Sequence, residues 1–180
     1  MSMKKAKHPI KYGVQVYGAY LFALWAHRGQ KRKYTFDPYI VHPVEVMQIV
    51  ATVPHTKDML MAALLHDVVE DCGVQNSTIR AVFGHGVADL VHWLTDPPKA
   101  HTAGMNRAAR KAQDCARLAR APADAQTIKL ADLISNTVSI TEYDPDFSVV
   151  YLREKAELLK VLTRGDAGLH RQAQTVMGDT

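Results

Sequence analysis

ALLHDVVEDCG, from Ala63 to Gly73, sets an apolar run against four ionisable residues: His66, Asp67, Glu70 and Asp71. Its apolar residues recur with a helical period, and Gly73 is a natural stop. On such a helix His66 and Glu70 are i,i+4 neighbours, Asp67 and Glu70 are i,i+3, and Asp67 and Asp71 are i,i+4. All four side chains then crowd one side. Burying such charges singly costs several kcal/mol or shifts their pKa. One reading is a solvated stripe near a helix C-terminus, where the helix dipole disfavours acids. The other is a metal site, which needs ligands from elsewhere in the chain.

Two further places offer such ligands. His42 sits in YIVHP, where the following Pro43 predicts an extended backbone. Asp132 sits in KLADLISNT, with Asn136 four residues on. His42, His66, Asp67 and Asp132 together supply two imidazoles and two carboxylates. That mixture suits a hard-to-borderline divalent ion that keeps waters, such as Mn²⁺, better than a thiolate zinc site. Isolated histidines such as His55, His85, His92 and His101 read as ordinary surface or core residues.

The rest of the chain reads as helices joined by short loops. YGAYLFALWAHRGQ puts Tyr17, Leu21, Leu24 and Trp25 on one face, and Gly29 can end it. PVEVMQIVATV begins a helix with Pro43 in its first turn. TKDMLMAALLHDVVEDC is read as one continuous helix. NSTIRAVFG, GVADLVHWLTD, NRAARKAQDCARLARA, ADAQTIKLADLISNTVSI, SVVYLREKAELLKVL and DAGLHRQAQTVM follow. QKRKYTFDPYIVHP and DPPKAHTAGMN are loops. No alternating strand ladder, repeat or low-complexity tract stands out. The fold expected is all-α, a compact bundle of about eight or nine helices.

Length and composition agree with a single domain over residues 1–180, with 47% hydrophobic residues for its core. The net charge of +4 is dispersed, without the dense basic stripe and interleaved aromatics of a nucleic-acid binder. No apolar run approaches the ~20 residues of a membrane helix. The opening MSMKKAKHPIKYG is basic without an apolar core, so no secretory leader is expected. Cys72 and Cys115 stand far apart without metal spacing, which fits reduced thiols and a cytoplasmic location. The amphipathic SVVYLREKAELLKVL reads as intramolecular core, and no oligomeric state is assigned.

Taken with AHRGQKRK…PYIVHPVEV, IRAVFGHGVADLV and AQTIKLADLISNT, the HD pair resembles the successive motifs of the hydrolase domain of RelA/SpoT-type proteins, a branch of the HD-domain metal phosphohydrolases. The likeness runs in order from about Tyr17 to Thr141, and the chain looks like a stand-alone small alarmone hydrolase. The resemblance implies a compact HD-domain bundle that removes the 3′-pyrophosphate of (p)ppGpp with one Mn²⁺. It assigns His42, His66, Asp67 and Asp132 to the metal and Glu70 and Asp71 to acid/base work on the attacking water. It assigns Arg32, Lys33 and Asn136 to the nucleotide.

Arg107, Arg110 and Lys111, at a helix start, are read either as a further phosphate contact or as a solvated face, the latter slightly ahead. Lys129, three residues before Asp132, faces the site or pairs with an acid. The chain departs from the family pattern at YTFDP (Tyr34 to Pro38), which is longer and more aromatic. Leu133 and Ser135 replace an Arg and a His, and Cys72 stands where Thr is usual. Two other functions therefore stay open. One is an HD phosphohydrolase for a different nucleotide, such as NADPH or a 3′-phosphorylated nucleotide. The other is a nucleotide-binding module without turnover, which would have no need of the two acids.

Overall fold

The structure, a computed structural model, describes residues 9–97 and 103–178. The basic opening stretch at 1–8 and part of the loop expected after Asp96, including His101, lie outside the described residues. Among the described residues all regular structure is helical, apart from one isolated bridge between Lys31 and Pro38. No described helix is long and apolar enough to cross a membrane. The chain divides into two compact units, with the boundary between Leu94 and Thr95.

The first unit holds a 3-10 turn (Pro9–Tyr12) and helices α1 (Val14–Ala26), α2 (Val41–Val50), α3 (Lys57–Leu65), α4 (Val68–Cys72), α5 (Asn76–Phe83) and α6 (His85–Leu94). Helix α3 is central: α1, α2 and α6 all pack on it. Its sequence explains this, because Met59 to Leu65 are all buried. Thr56 starts it by accepting a hydrogen bond from Met59 N–H at 3.2 Å. Helix α1 meets this core with small residues, Val16, Ala19 and Ala23. The expected face of Leu21, Leu24 and Trp25 points outward instead, with Trp25 59% exposed. Small side chains let two helix backbones approach closely, so bulk is not the guide to the buried face here.

Two expectations about helix boundaries change. The stretch read as one helix from Thr56 to Cys72 is two, α3 and α4, broken at His66 and Asp67. With this break there are ten α-helices among the described residues, against the eight or nine expected. Its local cause is visible. The His66 Nδ1 lies 2.8 Å from the Ala63 carbonyl, the group that Asp67 N–H would use in an unbroken helix. Helix α4 then closes at Gly73, whose φ of 68° is the left-handed cap glycine favours. Nor is His42 held extended by Pro43. Helix α2 starts at Val41 and contains both. Proline is tolerated in a first turn because the N–H it lacks has no intrahelical acceptor there.

The second unit holds α7 (Arg107–Leu118), α8 (Ala123–Tyr143), α9 (Pro145–Leu159) and α10 (Ala167–Val176). Asn106, Asp144 and Asp166 cap the starts of α7, α9 and α10 with side-chain oxygens. Helix α8 is the axis on which α9 and α10 pack. Buried Gln126 ties the turns around it. Its Nε2 donates to the Leu118 carbonyl at 2.8 Å, and its Oε1 accepts from Arg164 N–H at 2.8 Å. Gly165 is required where the chain returns to α10. A Cβ there would lie 2.7 Å from Leu130 Cδ1 and 3.1 Å from the Gln126 backbone.

Candidate metal centre and active site

Packing of α2 on α3 brings His42, in the first turn of α2, to His66, at the end of α3. Their rings meet edge to face, with centroids 5.2 Å apart. The break after Leu65 swings Asp67 to the same point. Its Oδ2 lies 3.1 Å from His66 Nε2 and 3.7 Å from His42 Nε2. Ligand atoms from the three residues all lie within 4.8 Å of one another, so one ion can touch all three. The imidazoles are buried, at 1% and 3% exposure, while the carboxylate keeps a path to solvent at 20%.

The chemistry of the donor set fits a divalent cation. With Nδ1 of His66 donating to the Ala63 carbonyl, the neutral ring carries its lone pair on Nε2. That lone pair faces a carboxylate oxygen at 3.1 Å. Two acceptors at this distance repel unless a cation or a proton stands between them. Two imidazoles and a carboxylate suit a borderline divalent ion.

The two expected acids follow on α4. Asp71 keeps one turn of spacing from Asp67, since its N–H donates to the Asp67 carbonyl at 2.8 Å. Partial burial, and then the negative charge of Asp67, push the Asp71 carboxyl above the usual aspartate range. A hydrogen bond with Tyr39 and the nearby His27 and His66 pull the other way. Glu70 is exposed on the first turn of α4.

Sequence reasoning missed three residues around these acids. Tyr39 donates its hydroxyl to Asp67 Oδ2 at 2.8 Å. His27, buried at the end of α1, stacks on Tyr39 with ring centroids 4.7 Å apart. Gln30 bonds His27 Nδ1 through Oε1 at 2.8 Å and donates through Nε2 to the Asp71 carbonyl at 3.1 Å. Cys72, at 3.2 Å from His27 Nδ1, closes the group, and burial followed by the charge of Asp71 pushes its thiol up. The available signal was a histidine two residues before Gly29 and a tyrosine three before His42, both polar groups beside a helix end.

Arg32 and Lys33 lie on a tight loop, where Arg32 N–H donates to the Asp37 carbonyl at 2.9 Å. Lys33 Nζ donates to the Tyr34 hydroxyl at 3.1 Å and lies over that ring. Exposed Phe36 sits in this loop at φ 59°, a conformation non-glycine residues seldom adopt.

Asp132 belongs to the second unit, on α8. Its Oδ2 accepts from Lys129 Nζ at 2.9 Å and its Oδ1 from Asn136 Nδ2 at 2.6 Å. Lys129 therefore pairs with an acid. Burial alone would lower its pKa, but the charge and hydrogen bond of Asp132 outweigh that and raise it. Lys155 on α9 is the opposite case. Burial first, then the positive charge of Lys129, push it down to about 8, against the pull of Asp132 and Asp114. At the start of α7, Arg107 forms a bidentate pair with Glu154, and Arg110 donates to the Met105 carbonyl at 2.7 Å. Both have local work on an exposed face.

A fold built on this HD pair defines a class. The chain belongs to the HD domain family, whose model matches residues 19–162. Among curated proteins it is similar to the guanosine-3′,5′-bis(diphosphate) 3′-pyrophosphohydrolase of Vibrio cholerae, with 34% identity over 155 residues, covering 84% of this chain and 22% of that protein. It is also 34% identical over 161 residues to the probable GTP diphosphokinase RSH3, chloroplastic, of Arabidopsis thaliana, covering 87% and 22% respectively. The chain thus spans about a fifth of the length of these curated relatives. Among solved structures it resembles one described as a metazoan ortholog of SpoT that hydrolyzes ppGpp. That likeness has a TM-score of 0.81 and 27% identity, covering 91% of this chain and 94% of the other.

Proposed function

We propose that the protein is a metal-dependent phosphohydrolase that removes the 3′-pyrophosphate from ppGpp and pppGpp, releasing pyrophosphate with GDP or GTP. The observation that carries this reading is the convergence of His42, His66 and Asp67 on one point, with Asp71 one turn away. The similarity to a guanosine-3′,5′-bis(diphosphate) 3′-pyrophosphohydrolase and to a ppGpp-hydrolysing SpoT ortholog supplies the substrate class. Asp132 joins the ligand set on its KLAD motif, and Mn²⁺ is the ion chosen from the donor chemistry. When bound, the ion supplies Lewis acidity, making water a nucleophile near neutral pH and offsetting phosphate charge. Glu70 and Asp71 orient the attacking water and take its proton. The new bond forms from water oxygen to the phosphorus on O3′, the P–O3′ bond breaks, and O3′ gains a proton. Arg32, Lys33 and Asn136 hold the nucleotide.

The matched stretch runs from 19 to 162, across the boundary at Leu94, which supports reading the two units as one HD domain. The free Cys72 and Cys115 support a cytoplasmic location. A second reading, hydrolysis of another nucleotide, is favoured by the aromatic Tyr34–Pro38 loop and by Leu133 and Ser135 in place of an Arg and a His. The experiment presents purified protein and Mn²⁺ with ppGpp, pppGpp, NADPH and 3′-nucleotides and separates products by ion exchange. Pyrophosphate release from the first two is expected. Inorganic phosphate from NADPH or a 3′-nucleotide alone would transfer the assignment to the second reading.

A further inference from the structure

We propose that Tyr39 is a positioning residue for the metal-ligand set, its hydroxyl aiming the Asp67 carboxylate from a ring stacked on His27 and a backbone tied to Gln30. The inference rests on the reading that Asp67 is a metal ligand. A carboxylate at a helix junction has two free torsions and four lone-pair directions, so its neighbours set which oxygen meets an ion. Here the Tyr39 hydroxyl donates to Oδ2 at 2.8 Å, on the same oxygen that faces both imidazoles. The same hydroxyl lies near enough to Asp71 to favour its ionised form, against burial and the charge of Asp67.

The phenol is itself held through its ring and through its backbone. Its ring lies against His27 at 4.7 Å with a 32° tilt. Tyr39 N–H donates to the Gln30 carbonyl at 3.0 Å, and Gln30 N–H to the His27 carbonyl at 3.0 Å. Gln30 also holds the Asp71 carbonyl through its side-chain amide at 3.1 Å. The segment after α1 therefore reaches α4 twice, once through the Tyr39 hydroxyl and once through the Gln30 amide. A ring fixed in this way gives the hydroxyl a direction, and removal of the hydroxyl alone leaves the ring packing in place.

The test uses Tyr39→Phe and Tyr39→Leu in the full chain stripped of metal, titrated calorimetrically with Mn²⁺, alongside thermal unfolding and steady-state hydrolysis of ppGpp. The Mn²⁺ Kd is expected to rise about tenfold or more in both variants, in the range measured for lost ligand-supporting hydrogen bonds. Only Tyr39→Leu should lose thermal stability, because only it loses the ring. In Tyr39→Phe, kcat should fall while KM stays within about threefold, a split that general loosening would not give. Wild-type affinity in Tyr39→Phe with weakened binding in Tyr39→Leu would overturn the proposal, since the ring and not the hydroxyl would then matter. No Mn²⁺ binding by the wild-type chain would remove the metal reading and this inference together. Metal binding matched between wild type and Tyr39→Phe removes the inference alone.

Discussion

Replacing Lys155 by Met should stabilise the protein at neutral pH, and the gain should vanish in alkali. Lys155 is half-buried on α9, and its ammonium is pushed from 10.5 to about 8 by burial and by the charge of Lys129. A lowered lysine pKa means that the unfolded chain binds more protons than the folded one between about pH 8 and 10.5. Wild-type stability therefore gains with pH from this group across that window. Below pH 8 the folded state carries the full penalty of a charged Lys155, and above 10.5 it carries none. The shift corresponds to a ceiling of about 3 kcal/mol at 1.36 kcal/mol per pKa unit. Partial access to water reduces the expected gain to about 1–2 kcal/mol. Met keeps the unbranched stem that lies beside Tyr151, whose ring centroid is 5.4 Å from Nζ. Urea unfolding of both proteins at steps from pH 7 to 11 reads the difference directly. A gap that does not change with pH, or a Met variant less stable at pH 7, would refute the reasoning about this side chain.

Glu70→Gln should keep near-normal Mn²⁺ content and lose turnover by about 10²–10⁴-fold, as expected for removal of a general acid or base. Equal loss of metal, measured by elemental analysis, would make Glu70 a support of the ligand set instead. Asp67→Ala should lose both Mn²⁺ and activity; retention of both would show the ligand set to be wrong. Gly165→Ala should destabilise the protein by about 1–3 kcal/mol in denaturant unfolding, because its Cβ meets Leu130 at 2.7 Å and the α8 backbone at 3.1 Å. An unchanged midpoint would mean that the α9–α10 connection relaxes freely.

Helical period and stop glycines made most elements legible in the sequence. Thr56, Asn106 and Asp166 stand where helices begin, and Gly73 and Gly84 where they stop. The break at His66–Asp67 was not legible, because no proline or glycine marks it. It coincides with a side-chain bond from His66 to the Ala63 carbonyl, which depends on the rotamer the ring adopts. The outward face of α1 was misleading for a related reason. Burial there follows the close approach allowed by Ala19 and Ala23, whereas periodicity weights the bulkier Leu21, Leu24 and Trp25. Within the candidate centre, charged residues announced themselves by being out of place in an apolar run. Tyr39, His27 and Gln30 did not, since each is unremarkable in a loop until α1 and α4 pack together. The pairing of Asp132 with Lys129 and Asn136 was implicit in i,i+3 and i,i+4 spacing, but spacing alone could not choose between partners.

The most direct measurement incubates the protein with ppGpp and Mn²⁺ in ¹⁸O-labelled water and analyses the products by mass. Water attack at the phosphorus on O3′ predicts GDP without label and pyrophosphate carrying one ¹⁸O, with no turnover after metal removal and full recovery on adding Mn²⁺. Absence of pyrophosphate, label in the GDP, or undiminished turnover in metal-free protein would contradict the account.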